Sequence, residues 1–239
     1  MTYFIFNSLD SRNFGAYVFA KNPFEVAVRN VEKVNVPGVS GDLLIDNGSF
    51  ENETIEYSVI ITDNFRTKVS GMNNALASSR GYCRLEDAFN TDEFRLAAFH
   101  NGIVIDKLVG SKESVSGRFT CRFDCKPQRY LKSGETGISV SAGTTKTISN
   151  PTLFESLPKI VVTGTGTFTV NARQITVSNN NSSGITIDSE VSDCYSGSLN
   201  RNSVVSIQDN VFPVLVPGDN IVTTPSGMTL SIIPRWFRL

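Results

Sequence analysis

The sequence predicts a mainly β protein made of two domains, and three observations support this. Apolar side chains recur at every second position in many short runs, which is the side-chain period of a strand with one buried face. Apolar residues follow a helical spacing convincingly in one segment only. Charged residues are unevenly distributed, with 32 in residues 1–133 and 13 in residues 134–239. We therefore expect two β-rich domains, the first of which carries a helix.

The strands expected in the first domain follow from this alternation. It is clearest in residues 119–125, where apolar side chains alternate with polar ones, as in an antiparallel strand with one packed face and one wet face. The apolar members are Phe119, Cys121, Phe123 and Cys125. The other runs are Val26–Val28, Ile55–Ile61 and Phe94–Ala98. In the last run, Phe94, Leu96 and Ala98 form the expected inward face.

A helix is expected at about residues 63–78. Its apolar stripe consists of Phe65, Val69, Met72 and Leu76. Thr62 or Asp63 precedes the stripe as a possible N-cap. Gly81 offers a C-terminal stop before the strand-like segment Tyr82–Leu85.

The second domain, residues 134–239, has the composition of a β-sandwich. Ser, Thr and Asn supply 38 of its 106 positions, and Gly, Pro and Asn turn signals separate short alternating runs. The expected strands are Ile138–Val140, Lys159–Val162, Thr167–Val170, Gln174–Val177, Gly184–Ile187, Ser203–Ile207 and Met228–Ile233. The polar stretch Gln128–Gly137 is the expected boundary between residues 1–133 and this domain.

Bulk composition disfavours several classes of function. With 22 Lys and Arg against 23 Asp and Glu, the net charge is -1, which provides no overall field to attract a nucleic acid or an anionic membrane. No run approaches the roughly 20 apolar residues that cross a bilayer. The apolar start Tyr3–Phe6 is too short for the core of a signal peptide. We expect a protein made in the cytoplasm, without membrane insertion or sequence-specific nucleic-acid binding.

No combination of residues predicts a catalytic or metal site. The single histidine, His100, lies in an expected turn before Asn101-Gly102, where a turn role is simpler than that of a catalytic base. Cys121 and Cys125 fit buried positions of a strand better than a zinc site, which needs four ligands. We expect free thiols, no cofactor and no enzymatic activity. A carboxylate pair of the glycosidase type stays open, because sequence does not show which carboxylates are close in space.

Two further signals have competing interpretations. The run Gly164-Thr165-Gly166-Thr167 resembles half of a dinucleotide fingerprint, but no helix follows it, so a bulge or a crowded bend is expected. The only tryptophan, Trp236, is either a C-terminal packing anchor or the aromatic platform of a sugar site. The second interpretation gives the alternative function, a glycan-binding adhesin module.

Two segments at opposite ends of the chain resemble the siphophage distal tail protein (Dit) family. Val36–Asn52 is similar to that family's Pro-Gly-x-x-Gly-(polar)-Leu-Leu segment and the Gly-x-(aromatic)-Glu-Asn turn that follows. It departs from the pattern at Val39-Ser40, where a more polar pair is expected. Phe212–Asn220 and Ile233–Leu239 are similar to the family's Phe-Pro-x-Leu-x-Pro-Gly-x-Asn block and its Ile-x-Pro-(basic)-Trp ending.

The resemblance implies both a fold and a function. The fold would be an N-terminal β-barrel-like, ring-forming domain with one α-helix, followed by a C-terminal galectin-like β-sandwich. The protein would be a hub of a phage, or phage-like, tail tip, assembled in the bacterial cytoplasm. A hexameric ring would join the tail-tube protein to the baseplate hub or tail fibre, and receptor-binding proteins would be further partners. Residues 134–239 contain no histidine, so the galactoside-binding cluster of galectins is incomplete.

The candidate site is the loop that contains Pro37, Gly38, Gly41 and Asp42. Proline fixes one dihedral angle and the two glycines permit positive φ, which together define a turn. Two roles stay open for this loop, an intrachain turn and a subunit contact.

Overall fold

The computed structural model describes residues 2–22, 27–111, 114–179 and 184–239. Strands dominate these residues, which include one α-helix, so the mainly β fold class is confirmed. The chain divides into two compact units. The first unit extends to Arg129 and includes Leu239, and the second unit spans Tyr130–Arg238. In the described part of the chain, no helix is long and apolar enough to span a membrane.

The first unit is built from helix α1 (Phe65–Ala77) and the first ten strands. These are β1 (Phe4–Phe6), β2 (Leu9–Asp10), β3 (Ala16–Lys21), β4 (Arg29–Asn35), β5 (Asp42–Phe50), β6 (Glu53–Ile61), β7 (Cys83–Asp87), β8 (Glu93–Ala98), β9 (Ile103–Ser111) and β10 (Ser114–Leu131). The last two residues of β10 belong to the second unit.

Most strands of the first unit belong to one sheet whose path closes. The order along the sheet is β2-β1-β7-β8-β10-β6-β3, and β9 also pairs with β10. An isolated antiparallel bridge joins Val18 of β3 to Thr2, just before β1. In this bridge, the Val18 amide donates a 3.0 Å hydrogen bond to the Thr2 carbonyl. The far end of the path thus returns to its beginning, as in a small barrel.

The core of the first unit lies between this sheet and α1. β6 and β10 are antiparallel from Glu53, opposite Cys125, to Ile61, opposite Gly117. Their buried side chains are Ile55, Tyr57, Val59, Ile61, Phe119, Cys121, Phe123 and Cys125. The inward faces predicted for both strands are therefore confirmed.

The helix lies within the predicted range and buries the predicted stripe. The predicted N-cap is wrong, because Asn64 occupies that position with φ 46° and makes no side-chain capping bond. Asparagine tolerates this left-handed conformation, which lets the chain turn sharply out of β6. Gly81, with φ 68°, lies in the turn before β7, whereas the helix ends earlier, with Ser78 as C-cap.

The strand predicted at residues 94–98 exists as β8, but its predicted inward face is wrong. The buried residues are Glu93, Arg95 and Ala97. Arg95 forms a 2.6 Å ion pair with the buried Glu53, and a charge can be buried when it is paired in this way. On the other face, the Arg84 guanidinium lies 3.8 Å from the centre of the Phe94 ring. The apolar alternation therefore marked the wrong side of the strand.

The second unit contains the remaining strands. These are β11 (Ile138–Val140), β12 (Thr145–Asn150), β13 (Lys159–Thr163), β14 (Gly166–Val170), β15 (Arg173–Val177), β16 (Ile185–Asp188), β17 (Asp193–Ser196), β18 (Leu199–Asn200), β19 (Val205–Ile207), β20 (Gly218–Thr223), β21 (Thr229–Ile233) and β22 (Phe237–Arg238).

Two sheets of the second unit share one core. Their strand orders are β11-β21-β13-β16-β17-β18 and β12-β20-β14-β15-β19. Ile160 and Ile232 of the first sheet belong to the same buried cluster as Phe168 and Ile175 of the second. This is a β-sandwich, whose galectin-like character stays a prediction.

The glycine run after β13 marks the crowded bend that was expected. β13 and β14 belong to different sheets, so the chain crosses between them at Gly164 and Thr165. A Cβ atom on Gly164 would lie 2.2 Å from the carbonyl oxygen of Gly227. Only glycine permits so close a backbone approach.

Several strands escaped prediction because their sequences are polar. β12 and β20 are paired along their whole lengths, yet the inward positions of β20 include Asn220, which is fully buried. The predicted strand at residues 203–207 begins at Val205. Of the predicted strand Val26–Val28, Val26 lies outside the described residues, and Val28 has no regular structure.

Candidate assembly surface

The predicted loop lies at the tip of an isolated β-hairpin in the first unit. β4 and β5 pair antiparallel from Arg29, opposite Phe50, to Asn35, opposite Asp42. Among the described strands they form a sheet of their own. We call β4, residues 36–41 and β5 together the apolar ribbon.

The four predicted site residues come together at the tip of the apolar ribbon. The Val39 amide donates a 3.1 Å hydrogen bond to the Val36 carbonyl, which closes a turn around Pro37 and Gly38. Gly38 and Gly41 have φ angles of 85° and 90°, and a Cβ atom on either would meet nothing within 4 Å. Glycine is thus favoured here by backbone conformation. The tip is an intrachain turn with exposed surroundings.

Apolar side chains are exposed along the ribbon. Leu43, Leu44 and Ile45 are consecutive, so they point to both faces of β5. Leu44 is 61% exposed and Val39, at the tip, is 62% exposed. Val36, at the start of the tip, is exposed as well, and so is Val28, which precedes the ribbon. Exposed apolar side chains grouped on one hairpin make the ribbon the candidate interaction surface of the first unit.

The base of the ribbon is held by polar contacts. The Arg29 guanidinium forms a 2.7 Å ion pair with Asp46 and lies 4.9 Å from the centre of the Phe50 ring. A hydrogen bond from the Gly48 amide, together with Arg29, lowers the pKa of Asp46. Asn52, which follows the ribbon, donates a 3.0 Å hydrogen bond to Asp124 of β10. The contacts of Arg29 hold the two strands of the ribbon together, and the bond from Asn52 attaches the end of the first family-like segment to the barrel.

A second exposed apolar surface lies on the first unit. β9 pairs antiparallel with the first part of β10, from Ser111 to Ile103. Its exposed large apolar residues are Val104, Ile105, Leu108 and Val109. The sequence analysis did not identify this surface, although the uninterrupted apolar segments Ile103–Ile105 and Leu108-Val109 could have indicated it.

A largely buried polar cluster in the first unit surrounds Asp87. Asp87 accepts hydrogen bonds of 2.6 Å from both Lys21 and Tyr57. Burial acts to raise the pKa of Asp87, but these two bonds outweigh it and hold the pKa below its ordinary value. The adjoining cavity, which Arg95 also lines, has a volume of about 20 Å³. This is room for about one water molecule.

The other residues that the sequence analysis considered for catalysis or metal binding are dispersed. His100 is exposed between β8 and β9. The four cysteines are free thiols, as expected. Burial raises the pKa of Cys125 to about 12 and that of Cys121 further, which makes both sulfurs unreactive. Among the described residues, no group of three or more His, Cys, Asp or Glu side chains could hold a metal.

Trp236 lies in the core of the second unit and is 4% exposed. Its carbonyl accepts a 2.8 Å hydrogen bond from the Leu131 amide. The preceding Arg235 forms a two-point ion pair with Asp188, at 2.6 and 2.9 Å. The buried ring is therefore not an exposed platform for a sugar.

Comparison with known proteins identifies the fold. Neither the protein-family models nor the curated proteins contain a match to this sequence. The chain is similar to the crystal structure of the Dit protein of phage SPP1, a hub protein of the adsorption apparatus in phages that infect Gram-positive bacteria. The TM-score is 0.75 at 12% sequence identity, and the match covers 100% of both chains. The resemblance seen in the two end segments is confirmed at the level of structure, and the chain has the Dit fold.

Proposed function

We propose that this protein is a structural component of the tail hub of a phage or phage-like particle. In this role it acts by assembling with copies of itself and with other tail proteins. The observation that carries the proposal is the apolar ribbon, an exposed two-stranded hairpin on a chain with the Dit fold. The likeness to the SPP1 hub protein supports the same role.

The physical properties of the ribbon favour a covered state. A two-stranded hairpin is marginally stable in water on its own, and this one exposes Val39, Leu43 and Leu44. Contact with another subunit would bury these side chains. A ring requires two different surfaces on each subunit, which contact each other head to tail. The exposed side of β9 is a suitable second surface.

The family-like end segments support the finer parts of the proposal. These are a hexameric ring at the virion tail tip, contacts with the tail-tube protein and with the baseplate hub or tail fibre, and docking of receptor-binding proteins. The first unit would form the ring and the galectin-like second unit would project from it. The proposed role requires no catalytic residue and no cofactor.

Native mass spectrometry and negative-stain imaging of the full chain test this function, alone and mixed with the tail-tube protein. We expect rings from the wild type and a shift to monomers for Leu44→Asp. The matched control is Leu153→Asp, because Leu153 is 88% exposed on the second unit and its substitution should leave rings intact. A wild-type chain that stays strictly monomeric under both conditions would contradict the proposal.

A further inference from the structure

The second unit contains a depression that the assembly function does not use. It has a volume of about 370 Å³ and lies beside the turn between β14 and β15. This is within the range of about 300–1,000 Å³ found for small-ligand sites. Its apolar lining residues are Val170, Ala172, Pro213, Val214 and Val216. Its polar lining residues are Asn171, Arg173, Gln208 and Asp209.

One buried side chain fixes two walls of this depression. Asn220 is fully buried, and its side-chain oxygen accepts hydrogen bonds of 2.7 Å from the Asn171 amide group and 2.8 Å from the Val216 backbone amide. Its own amide group donates a 2.8 Å bond to the Val216 carbonyl. The turn at Asn171 and the wall at Val216 are thus held at a fixed separation.

The third wall is fixed to β15. The Gln208 side-chain oxygen accepts a 3.1 Å hydrogen bond from the Gln174 amide. The Arg173 guanidinium donates a 3.2 Å bond to the Gln208 carbonyl. The depression is therefore formed before any ligand arrives, which lowers the entropic cost of binding.

The chemistry of the lining points to an uncharged ligand with many hydroxyl groups. Arg173 and Asp209 carry opposite charges, so the depression has no electrostatic field of one sign that would attract an anion or a cation. Arg173 supplies hydrogen-bond donors, Asp209 supplies acceptors, and the side-chain nitrogen of Gln208 is a further donor. The apolar residues suit the C–H face of a sugar ring.

A peptide is a poorer fit to this site. Peptides that bind to sheets commonly add a strand at a free edge. β15 is paired on both sides, with β14 and with β19, and β14 is paired with β15 and β20. The strands that line the depression therefore offer no free edge.

We propose that this depression binds a neutral saccharide. Saturation-transfer NMR and titration of the full chain with glucose, galactose, N-acetylglucosamine, N-acetylgalactosamine and their disaccharides test this. We expect binding of at least one of these sugars. Arg173→Gln removes a charged hydrogen-bond donor and should weaken binding on the order of tenfold. Val214→Trp should abolish it by filling the depression.

The matched control is Lys146→Gln, which makes a similar change on β12 of the same sheet, outside the lining residues. It should bind the sugar as the wild type does. A two-dimensional amide NMR spectrum verifies the fold of each variant, and Arg173→Gln still provides the test if Val214→Trp does not fold. The proposal is overturned if none of these sugars binds. It is equally overturned if the folded Arg173→Gln variant binds as tightly as the wild type.

Discussion

A methyl group on Gly134 would lie 2.4 Å from the backbone nitrogen of Trp236. Around this contact, the Arg235 amide donates a 2.9 Å hydrogen bond to the Gly134 carbonyl, and the Leu131 amide donates to the Trp236 carbonyl. The C-terminal family-like segment thus packs against the beginning of the second unit. Glycine is favoured at position 134 because there is no space for a side chain, and not because of a positive φ. The polar stretch around it is part of a packed structure.

Gly134→Ala should lower the free energy of unfolding of the second unit by about 1–3 kcal/mol, because the added methyl group must displace backbone. Urea unfolding followed by fluorescence of Trp236 measures this loss. Gly71→Ala is the control, since its methyl group would meet Phe14 at an ordinary 3.5 Å. That change should leave the fluorescence transition unmoved. Equal midpoints for Gly134→Ala and the wild type would refute the close contact.

Trp236→Ala should destabilise the second unit by about 3–5 kcal/mol, the usual cost of removing a buried aromatic ring. Urea unfolding followed by circular dichroism measures the effect. Leu153→Ala, at an exposed position of the same unit, should change stability by less than about 0.5 kcal/mol. If the Trp236→Ala variant is as stable as the wild type, the ring does not have the packing role assigned to it.

The buried Asp87 should make the stability of the first unit depend on pH. Its pKa in the folded chain is below the ordinary value of 3.8, so its contribution is present above that value and is lost as the pH falls through the folded pKa. Asp87→Asn should cost about 3 kcal/mol at pH 7, since it removes the largely buried carboxylate that pairs with Lys21 at 2.6 Å. The cost should shrink at pH 3.

Unfolding in urea at both pH values measures this difference. Asp63→Asn is the matched control, because Asp63 pairs with Lys68 at 2.7 Å in an exposed position. Exposed pairs contribute less than about 1 kcal/mol. An Asp87→Asn cost that is the same at pH 3 and pH 7 would show that the charge of Asp87 is unimportant.

Ala172→Gly should stabilise the second unit by about 0.5–1 kcal/mol. Asn171 and Ala172 form a two-residue hairpin turn with φ angles of 50° and 65°, and such turns favour Asn-Gly because a Cβ atom is strained at the second position. Thermal unfolding measures the gain. Ala75→Gly within α1 should instead destabilise by up to about 1 kcal/mol. A destabilised Ala172→Gly variant would exclude strain at this turn.

The sequence predicted the parts of the fold in which apolar side chains alone decide the structure. The stripe of α1 and the inward faces of β6 and β10 are of this kind. It failed where polar groups are buried with partners, as in β8, where Arg95 pairs with Glu53. It failed also in β20, where Asn220 replaces an apolar residue and is satisfied by hydrogen bonds.

The candidate site was predicted in part. The glycines and the proline indicated the turn at residues 37–41, because backbone conformation is a local property. The exposure of Leu43 and Leu44 was not predictable, since a run of apolar residues usually indicates a buried strand. Pairing partners decide which interpretation is right, and β5 has only β4 as a partner among the described strands.

Hydrogen exchange of the assembled protein tests the central claim most directly, namely that the apolar ribbon is an interface. Backbone amides of residues 42–50 should exchange rapidly in the monomer and be protected in rings formed with the tail-tube protein. Residues 159–163, in the middle of a sheet of the second unit, should be equally protected in both states. Equally rapid exchange of residues 42–50 in monomers and rings would contradict the account.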